Sequence, residues 1–357
     1  MKVLFLPDYA AANAYQRALA AGLRDLGVEV RADRTRRRRI LPVSEAILRH
    51  GRPDVIHLHW TEPYIAAGGR VSRVKSQRTL LELRVVRRAG TPIVWTAHDL
   101  FRHDRVEDPV EGAFMRSLFE VCDTVIVHCR MAADGLLEAL ELPPSERRKI
   151  TVIPHGHYRG AYPDSVSKAE ARTRLGLPMD ALVVAFLGWV RAYKGVAELI
   201  EAFARIDAPG ARLVVAGQAV DADYADRVTR MAGDDDRVHV RLGFVPDDEL
   251  QLYMRAADAV ATPFLEIFTS GSVLLAMSFG RAVIAPRRGC VEETLDEAGG
   301  FLYDPDDRAG LEGALRMAMT ADLEAMGRVN LDGLERFSWS RVAEATQQVY
   351  EGVRSAR

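Results

Sequence analysis

The sequence predicts an α/β protein made of two doubly wound parallel sheets, one after the other along the chain. Three observations carry this. Short apolar runs alternate with amphipathic stretches of helical spacing, and they do so in two separate series. The alternation pauses at Pro154-His155-Gly156 and resumes at Leu182. Finally, 357 residues with 48% apolar and 27% charged side chains are enough for two domains, each with its own core. The expected domains are 1–160 and 161–336, followed by a last helix over 337–357.

Each element has its own signal. Residues 3–6 are an apolar strand, and 14–26 a helix with apolar side chains at helical spacing, stopped by Gly27. Strands follow at 28–31, 55–60, 92–96, 124–127 and 149–153. Residues 157–178 read as a linker with a short helix over 168–175. The second series runs through a strand at 182–187, a helix at 196–206, a strand at 212–216, a helix at 222–231 and a strand at 238–242. A helix at 248–256, a strand at 259–262, a helix at 271–279 and a strand at 282–285 continue it. In such sheets ligands bind beyond the C-terminal strand ends. Two of them facing each other enclose an interdomain cleft, a favoured place for a ligand.

Composition narrows the class. No apolar run reaches the ~18 residues of a membrane-spanning helix, and the apolar stretch at 3–6 is too short for a secretory signal. Three cysteines, Cys122, Cys129 and Cys290, suggest no disulfide framework, so the expected location is cytoplasmic. The net charge of −2 hides an asymmetry: residues 1–90 hold 18 Lys and Arg against 8 Asp and Glu, or +10, which leaves −12 for the rest. The excess concentrates at 31–39 and 70–88. The second segment sets Arg73, Lys75, Arg78, Arg84, Arg87 and Arg88 among Val74, Leu80, Leu81, Leu83 and Val85. A basic helix of this kind can lie on anionic lipid, each basic residue adding roughly 1 kcal/mol. A solvated helix that binds an anionic acceptor has the same pattern. Nucleic acid is not an expected partner, because no aromatic residues interleave with the charges.

Two segments of the second half fit a diphosphate. Gly188-Trp189-Val190-Arg191-Ala192-Tyr193-Lys194-Gly195 follows a strand and opens a helix, so Arg191 and Lys194 bring cations to a place where backbone N–H groups are unpaired. Basic residues in such a loop also commonly face solvent. Glu266-Ile267-Phe268-Thr269-Ser270-Gly271-Ser272 precedes an apolar helix, and small hydroxyl residues and glycine let the backbone approach an anion. A plain N-cap accounts for one of Thr269, Ser270, Gly271 and Ser272, hardly for four.

The first of these segments, with three others, gives the chain a resemblance to the family 4 retaining glycosyltransferases of the GT-B fold, built from two Rossmann-like domains. The loop Gly188…Arg191…Lys194-Gly195 resembles the family's glycine–arginine–lysine–glycine loop. Gly243-Phe244-Val245 resembles the strand end that holds the nucleotide base through backbone groups. The run from Ala276 to Ile284 resembles the family's EAMA.G.PVI pattern, and Gly289-Cys290-Val291-Glu292-Glu293 its GG.PE turn, which adds Glu293 to the nucleotide site. Ordered matches at the right separations are more specific than a lone glycine motif. Three departures mark a divergent subgroup. Trp189 stands where the family has arginine. The family's glutamate pair falls on Ile267 and Leu275, with Glu266 one position early. A Thr-Ser-Gly-Ser segment replaces the usual Phe-Gly stretch. Glu266 is nevertheless the carboxylate available for the sugar hydroxyls.

The resemblance also assigns the first half to the acceptor. His98, in Trp95-Thr96-Ala97-His98-Asp99, matches a histidine close to the donor sugar, suited to bond a sugar hydroxyl or polarise the reacting centre. It fits equally as a structural histidine bonded to Asp99 or to the backbone. In His57-Leu58-His59-Trp60 the alternation sends both histidines to one face; no third ligand suggests a metal, and His59 with Trp60 is expected at the acceptor. Asn13, Tyr15 and Gln16, after the first strand, are further acceptor candidates, although Asn13 also suits a helix cap. His155-Gly156 replaces the family's Asn-Gly at the hinge, and the last helix is expected to cross back to the first domain.

The implied activity is transfer of a hexose, with retention, from a GDP- or UDP-sugar, with a mannosyl donor favoured. The acceptor would be a saccharide, a lipid-linked saccharide or a small molecule, and no tightly bound cofactor is implied. In such retaining enzymes the leaving phosphate can take the acceptor's proton, which makes a protein base optional. Two alternatives remain at this point: a non-catalytic partner subunit that keeps the fold, and a sugar-nucleotide epimerase.

Overall fold

A computed structural model describes residues 1–11, 13–34, 40–65, 69–99 and 109–357, with backbone alone at 69–72 and 109. The basic run at 35–39 and residues 100–108 lie outside the described residues. Two compact units emerge: Met1–Gly156 with Phe337–Arg357, and His157–Arg336. Local contacts explain why the division falls at Gly156. A Cβ on Gly156 would lie 2.4 Å from the Trp339 indole, inside the first unit, whereas the Tyr158 N–H donates to Ser278 Oγ at 2.9 Å, inside the second.

The first unit holds strands β1 (Lys2–Leu6), β2 (Glu29–Ala32), β3 (Val55–Leu58), β4 (Ile93–Thr96), β5 (Thr124–Val127) and β6 (Ile150–Val152) in one parallel sheet of order β2-β1-β3-β4-β5-β6. β3 and β4 are buried along their whole length, as parallel strands covered on both faces are. The helix Ala14–Asp25 starts where Asn13 Oδ1 accepts from the Gln16 N–H at 3.2 Å. It buries Leu19, Ala20 and Leu23 in a core shared with Val342, Ala343 and Tyr350 of the helix Trp339–Ser355. The two helices come so close at Gly22 that a Cβ there would sit 2.9 Å from Ala343 Cβ. At the chain end Arg357 bonds both carboxylate oxygens of Asp123 at 3.0 Å. Truncating Leu19, which is fully buried, costs about 2–5 kcal/mol by the usual scale for core leucines.

The second unit repeats the plan with β7 (Leu182–Leu187), β8 (Ala211–Gly217), β9 (Val238–Leu242), β10 (Ala259–Ala261), β11 (Ala282–Pro286) and β12 (Gly300–Tyr303), ordered β12-β11-β10-β7-β8-β9 and all parallel. The edge strand β12 has no counterpart in the sequence reading. No described helix is long and apolar enough to cross a membrane.

Candidate active site

In the second unit the chain after β7 enters the Gly188–Gly195 loop. The Val190 N–H donates to Gln218 O at 2.9 Å, fixing the loop to the end of β8. A short turn over Ala192–Lys194 leads to Gly195, where φ is +70° and a Cβ would stand 1.9 Å from Pro263 O. Only glycine fits there, because the left-handed backbone and the lack of space act together. The same contact brings the loop to the segment after β10. Lys194 Nζ lies 4.0 Å from the centre of the Phe264 ring, and the Leu265 N–H donates to Tyr193 O at 2.8 Å. Arg191 lies 5.2 Å over the Trp189 indole. Such contacts hold a cation by its ring neighbour and contribute about 0.5–2 kcal/mol each.

The 263–272 segment also meets the turn at 289. A Cβ on Gly289 would lie 2.6 Å from Ile267 O, and the Cys290 N–H donates to Phe268 O at 3.4 Å. Three segments picked from sequence, at 188–195, 266–272 and 289–293, are therefore tied to one another at the C-terminal strand ends. At the start of the helix Gly271–Ser278, Ser270 Oγ accepts from the Val273 N–H at 3.2 Å, so Ser270 is the N-cap. Gly271 has a packing reason as well: a Cβ there would lie 2.8 Å from the Tyr158 hydroxyl. Thr269 and Ser272 flank these residues half-buried, and Glu266 is exposed. Gly243 follows β9 and donates its N–H to Gly217 O at 3.0 Å; Phe244 is exposed and Val245 and Glu293 are half-buried. Sequence reasoning missed Arg288, whose guanidinium bonds Leu265 O beside Lys194's ring partner. Its signal was the basic pair Arg287-Arg288 directly before the Gly289 turn.

The first unit holds a histidine cluster at the matching edge of its sheet. His57 and His59 belong to the end of β3, His98 follows β4, His128 follows β5 and His155 follows β6; these strands are neighbours, so their C-terminal ends adjoin. His57 bonds the Tyr350 hydroxyl at 2.6 Å and the Thr96 hydroxyl at 2.7 Å. His59 Nδ1 meets His98 Nε2 at 3.3 Å, His98 Nδ1 meets His128 Nε2 at 3.4 Å, and His128 Nδ1 meets Ile153 O at 3.0 Å. Trp60 stacks on His98 at 4.2 Å and 10°, and Tyr15 stands edge-on to His98 at 4.7 Å.

Burial pushes these imidazoles far down: His57 to about 3, His155 to about 3 and His128 to about 4, with His59 and His98 well below their ordinary value. All five are neutral at physiological pH. Both ring nitrogens of His98 therefore face other imidazoles. Gln16, expected at the acceptor, is fully buried; its amide accepts from the Tyr9 N–H at 2.6 Å and donates to Pro7 O at 2.8 Å. Its side chain shapes the loop after β1, as Asn13 shapes the helix start and Tyr15 fills the space between the histidines. His59 is buried, and Trp60 is half-buried. Among the described residues no group of three or more His, Cys, Asp or Glu has the arrangement to hold a metal ion.

Two parallel α/β units, each with a cluster of loops at its C-terminal strand ends, are a plan that solved structures share. Sucrose-phosphate synthase from Thermosynechococcus elongatus superposes over 100% of this chain and 99% of its own, with a TM-score of 0.75 at 20% identity. Anabaena Alr3699/HepE, solved with UDP and glucose, covers 99% and 100% with a TM-score of 0.71 at 19% identity. The fold is GT-B. Residues 4–157 match the family described as Glycosyltransferase Family 4, and residues 181–320 the family described as Glycosyl transferases group 1. The chain belongs to the glycosyltransferases, with one of these domains in each unit. Among curated relatives, the GDP-mannose:glycolipid 4-beta-D-mannosyltransferase of Xanthomonas campestris pv. campestris is 27% identical over 87% of this chain and 83% of its own length. The D-inositol 3-phosphate glycosyltransferase of Segniliparus rotundus is 31% identical over 74% of this chain and 61% of its own.

Proposed function

We propose that the chain transfers a hexose from a nucleotide-diphosphate sugar, GDP-mannose in the first place or a UDP-sugar, to a saccharide or lipid-linked acceptor. The observation that carries this reading is the junction of Lys194, the Phe264-Leu265 segment and the Gly289 turn in the second unit. Cations and amide groups gathered there suit a diphosphate whose charge grows as the glycosyl bond breaks. In this reading Arg191 and Lys194 neutralise the diphosphate, with the amides of Thr269, Ser270, Gly271 and Ser272 at the helix start. Gly243, Phe244, Val245 and Glu293 hold the nucleoside. Glu266 bonds sugar hydroxyls, and the Thr-Ser-Gly-Ser segment defines a subgroup that grips phosphate where relatives use a glutamate pair.

The first unit takes the acceptor through His59 and Trp60, and His98 belongs to the reacting centre. A lipid-linked acceptor gains support from the helix Gly69–Arg88, which exposes Val74, Leu81 and Val85 between basic side chains. Positions 74, 81 and 85 fall on one helical stripe, the arrangement of a helix that rests on anionic lipid. The resemblance carries an expectation of retention. A second course, inversion, is favoured by one relative's name, which pairs GDP-mannose, an α-glycosyl phosphate, with a β-mannosyl product.

The test is incubation of the purified chain with a panel of nucleotide sugars and saccharide acceptors. Release of nucleoside diphosphate with a new glycosidic bond supports the proposal, and the product's anomeric proton coupling distinguishes retention from inversion. An epimerised donor, or binding without turnover, would count against it.

A further inference from the structure

The histidine cluster carries a direction. A carbonyl oxygen only accepts, so His128 bears its proton on Nδ1, facing Ile153 O at 3.0 Å. Its Nε2 is then a lone pair, and the His98 nitrogen 3.4 Å away, Nδ1, must be the one that donates. The same reasoning passes to His98 Nε2, which accepts from His59 Nδ1 at 3.3 Å. Every N–H of the three rings is used inside the chain, and the series ends on His59 Nε2. That atom is buried and has no hydrogen-bond partner among the described residues. Leaving a buried acceptor unmade is costly, so a partner for it is expected from beyond the described residues, and the acceptor hydroxyl is one that fits.

We propose that His59, His98 and His128 form one polarised hydrogen-bond chain whose open lone pair, His59 Nε2, takes the proton of the acceptor hydroxyl. This rests on the reading of the protein as a glycosyltransferase whose first unit binds the acceptor. Whatever the anomeric course, the attacking hydroxyl has to lose a proton. It passes to His59 Nε2 while the oxygen's electron pair forms the new bond to the sugar and the bond to the diphosphate breaks. His59 Nδ1–H moves to His98 Nε2, and His98 Nδ1–H moves to His128 Nε2. His128 keeps its Nδ1–H on Ile153 O and becomes the imidazolium. The Asp99 carboxylate favours that charged form.

Apart from Asp99, the groups seen facing the chain among the described residues are uncharged: Tyr15, Trp60, Thr96, Tyr350 and the imidazoles of His57 and His155. A neutral cluster whose N–H groups are spent receives a hydroxyl and has nothing to offer a phosphate, which makes the acceptor's contact here a neutral sugar hydroxyl. The contacts of 3.3 and 3.4 Å are longer than a relaxed hydrogen bond, as is common before a substrate tightens the site. Trp60, half-buried and stacked on both His59 and His98, is the side chain an incoming acceptor displaces.

Two measurements on the full chain test this. In histidine-15N-labelled protein at pH 7.5, long-range proton–nitrogen correlations should show His59, His98 and His128 protonated on Nδ1 and bare on Nε2. Protonation of His59 or His98 on Nε2 overturns the chain. Turnover of GDP-mannose and UDP-glucose, with water as acceptor, is the second readout. His59→Phe should lower kcat at least about a hundredfold and His128→Phe about tenfold, with KM for the donor within about threefold. His128→Asn, whose amide oxygen can accept from His98 but cannot hold the proton, should keep the fold and show the same loss as His128→Phe. An active His59→Phe enzyme, or His128→Asn with turnover restored, overturns the relay. A wild-type chain that turns over no donor removes the transferase reading and this inference with it, whereas reversed tautomers with turnover intact remove the inference alone.

Discussion

Acidification from pH 7.5 to 5.5 should unfold the first unit far more readily than the second. A histidine whose pKa is pushed down on folding binds its proton preferentially in the unfolded chain. Its stabilising contribution is complete above the unfolded value of 6.5 and is lost as pH falls from there toward the folded value. His57, His128 and His155 fold at about 3, about 4 and about 3, so the window runs from pH 6.5 down to between 4 and 3. At pH 5.5, one unit below the unfolded value, each withdraws about 1.4 kcal/mol, together about 4 kcal/mol. His59 and His98 act in the same direction. Domains are stable by only about 5–15 kcal/mol, so this is a large share. Urea titrations at the two pH values measure it. Trp60, Trp95 and Trp339 report on the first unit, and Trp189 on the second. With a slope of about 2–3 kcal/mol per molar urea, the first unit's midpoint should fall by about 1.5 M. A midpoint that does not move between these pH values would refute neutral burial of the cluster.

Tyr350→Phe leaves His57 Nδ1 without its hydroxyl partner in the core, and urea unfolding should show a loss of about 1–3 kcal/mol. Gly195→Ala meets both a positive φ and the Pro263 carbonyl, so the second unit should lose about 1–3 kcal/mol and bind nucleoside diphosphate more weakly, seen by calorimetry. Sedimentation with anionic phospholipid vesicles should retain the protein at low salt and release it at about 0.5 M salt, while zwitterionic vesicles leave it in solution.

Much of the fold was legible because parallel strands are buried on both faces and appear as unbroken apolar runs: 3–6, 124–127, 182–187 and 282–285 needed nothing more. The edge strand β12 escaped because its apolar run, Phe301-Leu302-Tyr303, is only three residues long and only half-buried. The strand expected over 55–60 stops at Leu58, which puts His59 and Trp60 past the sheet edge. The segments proposed for the diphosphate stood out one at a time, each from local chemistry. Their meeting was not, since Gly195 against Pro263 and Gly289 against Ile267 depend on strand order. The histidine cluster shows the same limit. A histidine stands at or just past the apolar runs at 55–60, 92–96, 124–127 and 149–153, but the relation among His59, His98, His128 and His155 appears only once β3 to β6 are known to be neighbours. Gln16 went the other way: a polar side chain in a suitable loop turned out to be the loop's own brace.

The proposed function depends most on whether the cations of the second unit hold a diphosphate. Calorimetric binding of GDP and UDP to the wild-type chain and to Lys194→Ala addresses it directly. The account predicts at least a tenfold weaker affinity in the variant, about 1.4 kcal/mol or more, for whichever nucleotide the wild type binds. Equal affinities in the two proteins would contradict it.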